Sequence, residues 1–297
     1  MRATEIGTSH PGRADHRAKG GLHAAHGDPP GGRRTSLHVS PLWFTQCVAA
    51  LGASGLVDGL DASTVDQIAQ VGEEVHVEAH TEVFEEGQPC NGLWILASGR
   101  VKLHHATRDG RRLAIAFVDA GTPLQIGAAL EGRPYRASAT ALDDSVLVCL
   151  SRPVLLAILG SLPVFGRNAL HQLCLELGRR DVAASISALF DATGRVRCSL
   201  VQLLHQFGNP IPGTSGSSIG YRLTRQDIAD RSGVTLETAI RVLSQLQHQG
   251  LVTTRSQILE IADVPAFRAA TGCSECEFDC SIFRTGGDAR SPGEPLR

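Results

Sequence analysis

Three cysteines stand close together in the stretch Cys273-Ser-Glu-Cys276-Glu-Phe-Asp-Cys280. Thiolates are soft ligands, and this spacing makes a compact array suited to soft metals or iron–sulfur clusters. A cubane 4Fe-4S cluster wants a fourth ligand. Cys149, in Ser145-Val-Leu-Val-Cys149, is a candidate, although a cysteine in a buried strand also serves as a small apolar residue. Asp181, Asp191, Cys174, Cys198 or a group from a partner subunit are alternatives. Zinc usually takes four ligands, often as paired CxxC units, and no second pair exists here. An arsenite or mercury site needs only three thiolates, a redox dithiol needs two, and an inert tail needs none.

A second set of residues has the chemistry to read nucleic acid. Glu237 and Arg241 are four apart, so on a helix they share one face. Arginine donates two hydrogen bonds to guanine, and glutamate accepts from cytosine. Leu236 and Ile240 beside them suit thymine methyl groups. Thr224, Arg225 and Thr238 suit phosphates. The plain alternative is that Glu237 and Arg241 form only a surface ion pair.

These residues need elements to position them. Thr224 is a good N-cap, with Asp227 three residues on in the capping-box position. Ile228 and Ala229 make the apolar face of a short helix, and Gly233 supplies a tight turn. Thr235 then caps a second helix whose inner face is Ala239, Val242, Leu243 and Leu246. Gly250 ends it. Leu251–Thr253 and Ile258–Ile261 make a strand pair, so the order is helix, turn, helix, wing. In such motifs the side chains near the start of the second helix reach the base edges. Here those are Thr235, Leu236, Glu237, Thr238, Ile240 and Arg241.

Upstream, the texture differs. A helical stretch runs from Trp43 to Val71, with an N-cap at Asp61 or Ser63. From His76 to Ser151, short alternating segments predict strands at His76–Val83, Leu93–Ala97, Arg100–His104, Leu113–Val118 and Ser145–Leu150. Asp109-Gly110 between two of them is a hairpin signal. Such a series suggests a small antiparallel barrel or roll. A helical pattern follows from Val164 to Phe207, with a break near Gly194. The glycine-rich stretch Gly208–Gly220 reads as a linker. Residues 1–40 are rich in Gly, Pro, Arg and His and poor in large apolar residues. They cannot bury enough surface to offset ordering entropy, and read as a disordered tail.

The chain has 297 residues, enough for two modest domains. Its net charge is −2, so any DNA binding must come from a local surface rather than a global field. No apolar run is long enough to span a bilayer and no secretory signal stands at the start, so the expected location is cytoplasmic, without a membrane partner. Eight cysteines in such a chain read as thiols or metal ligands rather than a disulfide framework. No nucleophile–base pair, P-loop or dinucleotide glycine motif stands out, which argues against an enzyme.

The string Leu223-Thr-Arg-Gln-Asp-Ile-Ala, followed by Gly233-Val-Thr-Leu-Glu-Thr-Ala-Ile-Arg241-Val-Leu, resembles the DNA-binding signature of CRP/FNR transcription regulators. Phe84-Glu-Glu-Gly87, Ser98-Gly-Arg-Val-Lys-Leu103 and Gly121 are family-like too. The wing and Val264-Pro-Ala-Phe267-Arg-Ala-Ala270 look closest to the FNR branch. The resemblance spans residues 43–272. It implies an α+β chain: an N-terminal cyclic-nucleotide-binding-like β-roll, a long dimerisation helix and a C-terminal winged helix-turn-helix. The expected divisions are 1–40 tail, 41–160 roll, 161–207 dimerisation region, 208–271 DNA-binding domain and 272–297 cysteine-containing tail. It further implies a homodimer, an inverted-repeat DNA operator read by Glu237 and Arg241, and RNA polymerase as a partner.

The resemblance also bears on what the roll senses. A cyclic-nucleotide-binding member carries a Gly-Glu pair for the ribose and an Arg-Ser pair for the phosphate. Here Gly127 is followed by Ala128, and Ala137 precedes Ser138. Arg136 is one residue off, and a one-residue slip in a strand turns a side chain to the other face. No cAMP binding is therefore expected. The FNR branch binds an oxygen-labile cluster, usually through an N-terminal trio. This chain has no cysteine before Cys47 and looks like a member whose trio follows the DNA-binding domain. Cys149 matches the register of the internal cluster cysteine of that branch.

Overall fold

The computed structural model describes residues 32–34, 41–255, 258–273, 278 and 280–283. A short strand, β1 (Gly32–Arg34), pairs antiparallel with β2 (Glu73–Val77). This part of the expected disordered tail is thus a sheet edge, and the rest of residues 1–40 lies outside the described residues. The helical stretch ahead of the roll is two helices, α1 (Pro41–Ala53) and α2 (Ala62–Gln70). Asp61 caps the second by accepting from the Thr64 amide at 3.0 Å.

The roll consists of β2, β3 (Glu82–Phe84), β4 (Gly92–Ser98), β5 (Arg100–Ala106), β6 (Arg112–Asp119), β7 (Pro123–Leu124), α3 (Ile126–Glu131), β8 (Ser138–Ala141) and β9 (Ser145–Ser151). One sheet runs β1-β2-β9-β4-β7 and the other β3-β8-β5-β6. The segment expected as one strand, His76–Val83, is split between the two sheets. His80 takes a left-handed φ of 64° at the corner, which alternation alone does not reveal. The Asp109-Gly110 hairpin forms between β5 and β6. The core of the roll and the helices packed on it includes Phe84, Leu93, Trp94, Ile95, Leu96, Leu147 and Leu150, all fully or nearly fully buried. Trp94 donates its indole N–H to the Tyr135 hydroxyl at 2.7 Å, so this buried polar pair is satisfied.

Two helices follow the roll, α4 (Arg152–Ser161) and α5 (Pro163–Leu189). Pro163 fits the first turn of α5, where its missing N–H costs nothing, and the chain bends by 115° there. No single helix is long and apolar enough to cross a membrane; this bent pair passes only by length and composition. At about 1.5 Å per residue, α5 is about 40 Å long. Its Phe165 and Ala169 bury into the roll, while Leu170 and Leu177 are left exposed.

The expected break near Gly194 falls at Phe190–Asp191 instead. The Asp191 carboxylate accepts from the Gly194 amide at 2.7 Å and so starts α6 (Ala192–Phe207). Helix α6 then leaves the dimerisation region. Its Val196, Leu200, Val201, Leu203 and Phe207 are core residues of the DNA-binding domain. The expected linker is structured too: β10 (Gly208–Pro210) and β11 (Ser217–Arg222) pair with each other. Strand β11 then joins the wing, in a sheet ordered β10-β11-β13-β12. The wing strands are β12 (Val252–Arg255) and β13 (Ile258–Ile261). Gly and Ser composition suggested a linker because turn residues dominate the stretch; the pairing partner was remote in sequence.

Beyond the wing, the described residues add α9 (Val264–Ala270) and a 3₁₀ turn, Cys280–Phe283. That turn packs back on α5 and α6. The Arg179 guanidinium donates to the Ile282 carbonyl at 2.8 Å. Gly178 permits the approach: a Cβ there would meet Ile282 Cδ1 at 2.5 Å.

Candidate nucleic-acid interface and thiolate cluster

The helix-turn-helix is α7 (Arg225–Ser232) and α8 (Leu236–His248). The Thr224 hydroxyl accepts from the Asp227 amide at 3.0 Å, and the Asp227 carboxylate accepts from the Thr224 amide at 3.1 Å. The capping box closes with Asp in place of Glu. Gly233 stops α7 with a φ of 59°, a left-handed value that suits glycine. Thr235 caps α8 by accepting from the Thr238 amide at 3.3 Å.

Ala239, Val242, Leu243 and Leu246 of α8 are buried against the domain core. Helical period then forces the opposite stripe outward. Thr224, Arg225, Thr235, Glu237 and Arg241 are exposed, and Thr238 is half-buried. Leu236 and Ile240 are 41% and 39% exposed, unusual for side chains of this kind so near a well-packed core. Neither Glu237 nor Arg241 has an ion-pair partner among the described residues. The surface-pair alternative is therefore not what the structure holds. The expected DNA-contacting residues occupy one end of the module, with the charges at its centre unspent.

No local residue pattern marks what holds the module in place. Strand β5 sends Lys102 into the gap between roll and reader. Its ammonium donates to Asp227 at 3.0 Å and lies 3.5 Å from Asp230. Asp227 thus serves the capping box with one oxygen and Lys102 with the other. The Arg231 guanidinium donates to the Ile115 carbonyl of β6 and, at 2.9 Å, to Gln202. Desolvation lowers the Arg231 pKa to about 10. Gln206 donates to the Phe117 carbonyl at 2.6 Å, and the Arg100 guanidinium sits 4.7 Å from the Tyr221 ring centre. A lysine in a β-strand ordinarily reads as solvent-facing, so only the packing shows its role.

Between roll, α5 and reader lies a cavity of about 500 Å³. Leu103, Ile115, Phe117, Val118 and Ile126 form its apolar wall; Arg136, Arg179, Arg180 and Arg231 also line it. Arg136 precedes β8 rather than lying in it, so the strand alternation expected to turn it away does not apply. It faces the cavity, with its guanidinium donating to Glu131 at 2.9 and 3.1 Å. Ala128 is buried in the roll core.

The cysteines separate into two groups. Cys149 lies in β9, 3% exposed, inside the roll core with Trp94 and Leu150. Cys273 and Cys280 pack with the other core, that of the DNA-binding domain. This placement counts against Cys149 as the candidate fourth ligand: it packs as a small apolar residue in the sheet interior, in a different core from Cys273 and Cys280. Cys276 lies outside the described residues. Cys174 is exposed on α5, Asp181 is exposed on the same helix, and Asp191 is committed to capping α6. Cys198 of α6 lines one small void together with Cys273 and Cys280. Arg197 lines that void too, and its Nε is buried with no hydrogen-bond partner among the described residues. Among the described residues no group of three His, Cys, Asp or Glu side chains is gathered closely enough for a single metal ion.

Comparison with known proteins agrees with the architecture. The family model described as Cyclic nucleotide-binding domain matches residues 74–161, and that described as Crp-like helix-turn-helix domain matches residues 194–270. The second match begins in α6, where the structure also starts the reader. The CRP-like cAMP-activated global transcriptional regulator of Mycobacterium tuberculosis is 25% identical over 213 residues, covering 72% of this chain and 94% of that one. The nitrogen fixation regulation protein FixK of Azorhizobium caulinodans is 28% identical over 204 residues, covering 69% and 81%. The solved structure of the c-di-GMP-responsive global regulator CLP from Xanthomonas campestris superposes with a TM-score of 0.60 at 23% identity, covering 69% of this chain and 100% of that one. The roll and the winged helix define a DNA-binding transcription regulator rather than an enzyme. The chain belongs to the CRP/FNR family.

Proposed function

We propose that the chain is a homodimeric regulator of the FNR-like branch. It reads an inverted-repeat operator through α8, and its signal arrives at Cys273, Cys276 and Cys280. A 4Fe-4S cluster held there senses oxygen, nitric oxide or redox state. A cytoplasmic location and contact with RNA polymerase go with this reading. One observation carries it: the cysteine-bearing turn docks on the dimer helix and the reader at once. Arg179 of α5 holds the Ile282 carbonyl, and Phe283 lies against the Arg231 guanidinium, 5.5 Å from its ring centre.

The donor chemistry supports this reading: three cysteines line one void together with Arg197, whose buried Nε has no hydrogen-bond partner among the described residues. When bound, a cluster supplies an oxidant-labile centre. The chain's own residues carry the consequence. Leu170, Leu177 and Ala184 recur every seven residues on the exposed side of α5, which supports pairing with the same helix of a second copy. Pairing sets the two α8 helices about 34 Å apart, one turn of DNA. A shift of the turn at Cys280–Phe283 moves Arg179 and Arg231 together, and so biases the dimer toward or away from that spacing.

The test is anaerobic purification with an absorbance spectrum, iron and sulfide analysis and operator binding, followed through a pulse of air. The expected result is about four irons per chain, bleaching in air and a change in operator affinity. Cluster loss with unchanged operator affinity would sink the switch. A colourless, iron-free protein that binds operator would return the cysteines to metalloid or thiol chemistry.

The 500 Å³ cavity favours a second reading, a small effector bound between roll and reader. Calorimetric titration with cAMP separates the two. Heat at micromolar ligand supports the effector, and none is expected.

A further inference from the structure

We infer that the cavity between roll, α5 and reader is a binding site for a carboxylate with an apolar body. The inference deepens the effector reading above. It gives that effector a chemistry, one other than a cyclic nucleotide, and it does not depend on the cysteines. Gly127 and Ala128 line a neighbouring void of about 240 Å³. The walls of the larger cavity come chiefly from β6, α5, the reader and the 3₁₀ turn.

The charges on the cavity wall do not balance. Of its four arginines, two are already matched. Arg136 donates to both carboxylate oxygens of Glu131, and Arg180 pairs with Glu176, the one acidic side chain on the wall among the described residues. Arg179 and Arg231 bond neutral groups instead. Arg179 gives its Nε to the Ile282 carbonyl, and Arg231 gives its terminal nitrogens to the Ile115 carbonyl and Gln202. The Arg231 Nε is buried with no hydrogen-bond partner among the described residues. Burial lowers the pKa of both guanidinium groups, that of Arg231 to about 10, so both stay charged at neutral pH. A cation withdrawn from water without a counter-charge costs free energy, and an anion at its open donors offsets that cost. The planar fork of arginine matches the two oxygens of a carboxylate.

The two arginines meet at the 3₁₀ turn. Arg179 holds the Ile282 carbonyl, and the next residue, Phe283, sets its ring 5.5 Å from the Arg231 guanidinium. Beyond them lies the apolar wall of Leu103, Ile115, Phe117, Val118 and Ile126, where an apolar body that replaces water is favoured. The volume of about 500 Å³ falls within the roughly 300–1,000 Å³ of small-molecule sites. Arg179 belongs to the dimer helix, Arg231 to α7, and Ile115 and Phe117 to the roll. A ligand with its head at the arginines and its body on the roll touches all three parts. It favours the pose in which they close on it, and so shifts operator affinity.

The experiment uses the full chain as wild type, Arg179→Gln and Ala183→Phe; Ala183 lines the cavity from α5. Decanoate and 2-naphthoate are titrated by calorimetry beside 1-decanol and 2-naphthalenemethanol, with acetate as the head alone. Melting curves check folding. In wild type we expect at least one acid to bind at micromolar concentration, at least about tenfold more tightly than its alcohol, the scale of hydrogen bonds to a charged group. Acetate should give no heat. Arg179→Gln should lose the preference for acid and keep its affinity for alcohol. Ala183→Phe should fill the cavity and weaken both by at least about tenfold. Operator affinity with and without saturating acid should differ at least about fivefold. The wild-type comparison of acid with alcohol needs no variant, so a misfolded variant leaves the test standing. An acid that binds no better than its alcohol overturns the carboxylate assignment and leaves the effector reading. Full acid binding in folded Ala183→Phe overturns the site. Acid binding with unchanged operator affinity overturns the effector reading while the site stands. No binding by any acid or alcohol overturns both.

Discussion

On α7, the charged side chains turn toward the roll: Asp227 and Asp230 face Lys102, and the two terminal nitrogens of Arg231 donate to Ile115 and Gln202. On α8, one turn of chain away, Glu237 and Arg241 face solvent without an ion-pair partner among the described residues. The two helices share a motif but not a task. Charges bonded inside the protein position the module, whereas charges left unpaired on its outer face are available to a ligand. The comparison predicts that substitutions on the two helices separate stability from base preference.

The largest effect should come from Lys102→Met. It strands two buried carboxylates, and breaking a buried pair by removing one partner costs about 3–5 kcal/mol. Thermal melting should show the loss, while the order of preference among operator sequences stays as in wild type. Glu237→Ala and Arg241→Ala should do the reverse. Each should cost about 1–3 kcal/mol of specific binding and relax preference at one base position, with melting unchanged. Competition binding against operators with single base changes reads this directly. Loss of operator preference in Lys102→Met, or wild-type binding in both α8 variants, would dissolve the distinction.

The caps come next. Thr224→Ala and Thr235→Ala each remove an N-cap and should each cost about 1 kcal/mol by chemical denaturation. The smallest effect is a pH dependence at Asp119, at the end of β6. Burial raises its pKa from 3.8 to about 6, against the pull of Arg100 and with a push from Asp143. The folded state then holds this proton more tightly than the unfolded chain. Its contribution is full below about pH 4 and is lost as pH rises through 6. Asp119→Asn should flatten the stability profile across that window, measured as the urea midpoint at a series of pH values.

Much of this division was legible in residue order. Thr224, Asp227, Gly233 and Thr235 are local signals, each acting within four residues, so the helix-turn-helix and its exposed stripe could be read without coordinates. The same holds for the Asp109-Gly110 hairpin and the alternating strands of the roll. Local chemistry also misled in places. Turn residues at 208–220 suggested a linker, and Gly194 suggested a helix break that Asp191 makes instead.

The sequence by itself determined the helix-turn-helix and its wing, which face of α8 is left outward and that three cysteines stand within eight residues. Caps, periodicity and turn glycines act over a few residues, and their free energies are settled locally. The tertiary structure decided that Lys102 is a buried partner of α7, that Cys149 belongs to the roll core and that Cys198 stands beside Cys273 and Cys280. Those contacts join residues more than seventy positions apart, and their energies depend on burial and packing that exist only once both cores have formed.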